Sequence, residues 1–68
     1  MEAKSILAEM AKLNSIYGRT AQLYVYNEEL GPEYLRECYK QIINHPEGSK
    51  HYFSEELINH IIAFCTNN

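Results

Sequence analysis

Three histidines (His45, His51, His60) and two cysteines (Cys38, Cys65) are the side chains best equipped for metal or nucleophilic chemistry in this 68-residue chain. Their spacing argues against both. Structural zinc sites pair ligands at short intervals such as C-x₂-C or H-x₃-H, and no such pair occurs. Cys38 and Cys65 fall on apolar positions of helical patterns, where a thiol behaves as a small hydrophobe and not as a nucleophile. The nine acids are all glutamate, with no close pair suited to general acid–base work, and there is no Gly-rich phosphate loop. The sequence reads as non-enzymatic, with no cofactor and no metal.

What stands out is tyrosine. Six are present: Tyr17, Tyr24, Tyr26, Tyr34, Tyr39 and Tyr52. A tyrosine offers a large apolar body and a hydrogen-bonding tip, the combination favoured where proteins meet. Tyr17, Tyr24 and Tyr39 fall on core stripes. Tyr26, Tyr34 and Tyr52 fall off them and become candidate anchors for a partner, together with Phe53. Glu33 and Glu37 are the candidate charges at the rim.

These residues need elements to hold them. Ile6, Met10, Leu13 and Tyr17 recur at helical spacing, and the stripe runs on through Ala21 and Tyr24. This predicts a first helix over about 2–29, either one rod or two helices broken near Gly18. As a rod it would be about 42 Å long at 1.5 Å per residue. Leu23-Tyr24-Val25-Tyr26 is β-prone by composition, but a lone strand would have nothing to pair with. Leu30-Gly31-Pro32 reads as a stop, with Gly31 in the C′ position, followed by a start. A second amphipathic helix spans about 32–44 through Leu35, Cys38, Tyr39 and Ile42, and must end before Pro46. Residues 45–53 read as a loop. Ser54 is an N-cap, with Phe53 positioned to pack on Ile58 as a hydrophobic staple. The last helix covers about 54–66 and is apolar around more than half its circumference. The expected fold is all-α: one domain over residues 1–68, a small bundle of three or four helices.

Composition narrows the partners. The net charge is −3 and the six basic residues are scattered singly, so no stripe exists to neutralise a phosphate backbone. A helix-turn-helix reading also fails, because the loop before Ser54 is long for that motif and the last helix has no Lys or Arg. No run approaches the length of a membrane span, and no apolar leader opens the chain. The expected location is cytoplasmic, with both thiols reduced. A short chain buries only about 60% of its unfolded surface, so a second copy is an ordinary route to stability. The leading expectation is a protein-binding module that inhibits or regulates a partner. The alternative is a self-associating structural subunit, a homodimer through an overhanging first helix. A DNA-binding regulator ranks last.

The stretch Ile42-Ile43-Asn44-His45-Pro46-Glu47-Gly48-Ser49 resembles the immunity proteins that neutralise colicin and pyocin nucleases. In that family an amphipathic helix ends in a His-Pro-x-Gly-Ser turn, followed by a short aromatic segment and a last helix. Lys50-His51-Tyr52-Phe53 stands at the aromatic segment, and Ser54-Glu55-Glu56-Leu57-Ile58 looks like the start of the last helix. The resemblance implies a four-helix fold that blocks a toxin by binding beside its active site, with Ser49, Tyr52 and Phe53 as contacts. It covers roughly the second half of the chain. Lys50 stands where the family carries an acid, and Tyr52-Phe53 only approximates its Tyr-Tyr pair.

Overall fold

The computed structural model describes residues 2–67. These form five helices: α1 (Ala3–Met10), α2 (Ile16–Tyr24), α3 (Leu30–Asn44), α4 (Pro46–Ser49) and α5 (Glu55–Thr66). No strand occurs among the described residues, so the expected all-α bundle is what the chain forms. The β-prone run at 23–26 instead closes α2 and the turn after it.

The 42 Å rod does not exist, for the whole body measures 29 × 28 × 17 Å. The chain breaks at residues 11–15 rather than at Gly18. Leu13 N–H bonds back to the Met10 carbonyl in a tight turn, and Ser15 then takes an extended backbone as N-cap of α2. Its hydroxyl accepts from Gly18 N–H at 3.5 Å, satisfying one of the donors a helix start leaves open. The Gln22 side-chain amide donates to the Ala11 carbonyl at 3.0 Å and ties the new helix to the end of the old one. The apolar stripe continues across the break because α1 and α2 fold back on a common core. Ile6, Leu7 and Met10 of α1 point into that core.

Gly18 sits inside α2 for reasons of space. A Cβ there would overlap the Leu13 carbonyl, 2.8 Å from its carbon, and lie 3.2 Å from the Met10 oxygen. Gly31 plays a related part. It does not cap α2, which already ends at Tyr24. It lies buried in the first turn of α3, where a Cβ would come within 2.9 Å of Leu7 Cδ1 and 3.0 Å of the Tyr24 oxygen. Pro32 is accommodated there because the first turn has no intrahelical acceptor for its missing N–H. The start of α3 is held by the Asn27 side chain, whose Oδ1 accepts from Glu29 N–H at 3.0 Å and Leu30 N–H at 2.8 Å.

The connection over 45–53 is more ordered than a loop. Pro46 opens a single helical turn, and the N–H groups of His51, Tyr52 and Phe53 bond back to Gly48 and Ser49. Ser54 caps α5, its hydroxyl accepting from Leu57 N–H at 3.1 Å. The core comprises Ile6, Leu7, Met10, Ala21, Leu35, Cys38, Ile42, Phe53, Leu57 and Ile61. Tyr17, Tyr39, Ile58, Ile62, Phe64 and Cys65 pack half-buried around it.

Candidate protein-docking surface

α2 turns Gly18 and Ala21 into the core, which leaves Ile16 and Leu23, seven residues apart, on its outward face. They are 68% and 75% exposed. Tyr34 of α3 reaches across to α2. Its ring meets that of Tyr24 at 5.7 Å between centroids, and its hydroxyl donates to the Tyr17 carbonyl at 3.4 Å. Tyr17 in turn meets Tyr52 at 5.2 Å and Phe53 at 4.8 Å between centroids, both rings tilted against it. The result is an aromatic seam running from Tyr52 through Tyr17 and Tyr34 to Tyr24.

At its α3 end the seam opens into a shallow groove of about 210 Å³ lined by Tyr24, Leu30, Glu33, Tyr34 and Glu37. Leu30 is exposed there. Glu33 and Glu37 are one turn apart on the same wall, with Glu29 one turn before them. Lys40 reaches Glu37 at 3.4 Å, an exposed pair that contributes little and yields readily to a competitor.

Among the residues singled out from sequence, the structure brings Tyr34, Glu33 and Glu37 together at this groove. Tyr34 is half-buried as its floor, where a fully exposed anchor was expected. Tyr52 is half exposed at the far end of the seam. Tyr26, 81% exposed, stands apart, with Lys4 Nζ 4.9 Å above its ring. Two contact assignments need correcting. Ser49 is 5% exposed and its hydroxyl donates to the Gln41 carbonyl at 3.3 Å. Phe53 is 3% exposed and belongs to the core. Neither is offered to a partner in the folded chain.

Ile16, Leu23 and Leu30 escaped notice in the sequence. Their signal was present: once the helix is broken before Ser15, Ile16 and Leu23 fall opposite Gly18 and Ala21. A single rod hid that phase.

The remaining chemistry is quiet. A depression of about 360 Å³ between α1 and α5 is lined by Glu9, Lys12, Leu13, Ser54, Glu56, Leu57 and His60, and Glu9 is engaged by Lys12 at 3.3 Å. No three His, Cys or Glu side chains converge as metal ligands among the described residues. Cys65 Sγ donates to the Leu35 carbonyl at 3.8 Å. Burial raises both thiols, Cys38 to about 11, and it raises the Tyr34 hydroxyl as well. These thiols are protonated at neutral pH and poor nucleophiles.

The raised Cys38 value has a consequence for stability. The free thiol titrates near 9 and the folded one near 11. The folded state therefore keeps a proton that the unfolded chain releases. That contribution is complete below about pH 9 and is lost as the pH climbs through about 11, a change of roughly 2–3 kcal/mol. Urea midpoints measured across this range should fall more steeply for the wild type than for Cys38→Ala. Parallel slopes would show that Cys38 is not the group responsible.

No helix among the described residues is long and apolar enough to cross a membrane. No protein-family model, curated protein or solved structure matches the chain.

Proposed function

We propose that this chain is a non-enzymatic protein-binding module that inhibits or regulates a partner by occupying part of its surface, in the manner of an antagonist or immunity protein. The observation that carries this reading is the exposed Leu30 in the Tyr24–Tyr34 groove, together with the exposed Ile16 and Leu23 on the outward face of α2. A domain this small, with few apolar residues to spare for its core, leaves these three large aliphatic side chains in water. Folding gains nothing from their exposure, and an exposed apolar side chain beside an aromatic groove suits an interaction site. The rings beside them are anchored from below, so little side-chain freedom is lost on contact. Glutamates at the rim fit the usual arrangement of an apolar centre with a polar border.

The test is affinity capture from the native cell with the wild type and with Leu23→Ser/Leu30→Ser. Both replaced side chains are exposed, so circular dichroism and melting should be nearly unchanged. A stoichiometric partner should be retained by the wild type and weakened by about 10- to 100-fold in the double variant, as expected for two central contacts. Adding the purified chain to that partner should suppress the partner's own activity. Equal capture by both proteins would refute the placement of the surface.

A further inference from the structure

We propose that the groove between α2 and α3 receives a cationic amphipathic helix of another protein. This rests on the reading of the chain as a protein-binding module, and it specifies the chemistry of the partner. No strand edge is available among the described residues, so recognition must run through side chains and not through backbone pairing. Its lining joins apolar and aromatic side chains (Tyr24, Leu30, Tyr34) to carboxylates (Glu33, Glu37), the two chemistries that the apolar stripe and flanking cations of a basic amphipathic helix complement. Tyr24 and Tyr34 form the floor and Leu30 closes the end.

The charge of the walls selects the occupant. Glu29, Glu33 and Glu37 follow one another at four-residue intervals along α3. Like charges at that spacing repel on a helix surface. Glu29 and Glu33 are favoured by the helix start, but Glu37 lies beyond its first turn. An incoming helix with Lys or Arg beside its apolar stripe would meet all three acids. A second copy of this chain fits poorly. The groove lining of a copy holds two glutamates and no Lys or Arg, Lys40 beside it is already paired with Glu37, and α5, the other strongly apolar helix, has no Lys or Arg. Self-association would set acid against acid.

Two synthetic helical peptides of equal length, one of Leu and Lys and one of Leu and Glu, serve as probes. Each is titrated into the isotope-labelled chain and followed by amide shifts. The Leu/Lys peptide should move the amides of Leu23, Tyr24, Leu30 and Glu33, and the Leu/Glu peptide should not. Glu33→Lys/Glu37→Lys should weaken the Leu/Lys peptide at least tenfold. Glu55→Lys/Glu56→Lys, which changes net charge equally on α5, should leave its affinity within a factor of two or three. Equal loss in both variants would reduce the effect to bulk charge and overturn the proposal. So would shifts centred on another face, equal binding of the Leu/Glu peptide, or a sedimenting dimer that Leu23→Ser dissolves. The capture experiment reads the surface and the peptide series reads the sign of the partner's charge, so either can fail alone.

Discussion

Gly18→Ala should destabilise the domain by roughly 2–4 kcal/mol, although alanine is the better helix former by about 1 kcal/mol. Two effects compete at this position. Propensity alone would make the substitution stabilising, because Gly18 is the third residue of a regular helix. Space decides against it. The added Cβ would overlap the Leu13 carbonyl and crowd the Met10 oxygen, and both are backbone atoms that cannot swing away. Relief would require α2 to move off the end of α1, opening the turn at residues 11–15 and the Gln22–Ala11 hydrogen bond. A domain of this size has only a few kcal/mol to lose, so the variant should be substantially unfolded at 37 °C. Urea denaturation followed by circular dichroism measures the loss. A midpoint equal to or above that of the wild type would show that the two segments do not approach this closely.

Phe53→Ala should cost about 3–5 kcal/mol, the range for removing a buried aromatic ring. Tyr52→Ala, its immediate neighbour, should cost far less, because Tyr52 is half exposed. The pair separates two roles that sequence alone assigned jointly. Phe53 is closed in by the core and packs tilted against Tyr17 at 4.8 Å, whereas the half-exposed Tyr52 meets the same ring at 5.2 Å. Melting temperatures of the two variants decide the matter. If Phe53→Ala melted like the wild type, the ring would have to sit at the surface.

The parts of the fold legible in the sequence were those set by local chemistry. Leu35, Cys38 and Ile42 announce α3 by their spacing, Pro46 marks its end, and Ser54 caps α5 as its side chain implies. What could not be read was the phase and direction of the first thirty residues. A stripe through Ile6, Met10, Leu13 and Tyr17 is the same whether the helix runs straight or doubles back, since both forms face one core. Asn14-Ser15 was the marker of the break, outweighed by the conspicuous glycine three residues on. Gly18 and Gly31 serve tertiary approach, which no local pattern encodes. The same limit applied to the surface. Tyr34, Glu33 and Glu37, singled out because their types suit an interface, do share one groove. Leu23 and Ile16 were lost because their exposure depends on where the helix begins. Phe53 and Ser49 were drawn to the surface by a motif, while the packing of the 45–53 connection took them inside.

Tyr34 serves two masters, for its ring pins α3 to α2 and its outer edge is floor for whatever lies in the groove. A partner seated there would press on the same joint that holds the two helices together. By mass action, ligand at a hundred times its dissociation constant adds about 2.7 kcal/mol to the folded state. In a body of this size that is a rise of about 10–20 °C in melting temperature. Under the proposed reading recognition and cohesion share one hinge-pin, and a simple thermal shift would report a bound partner.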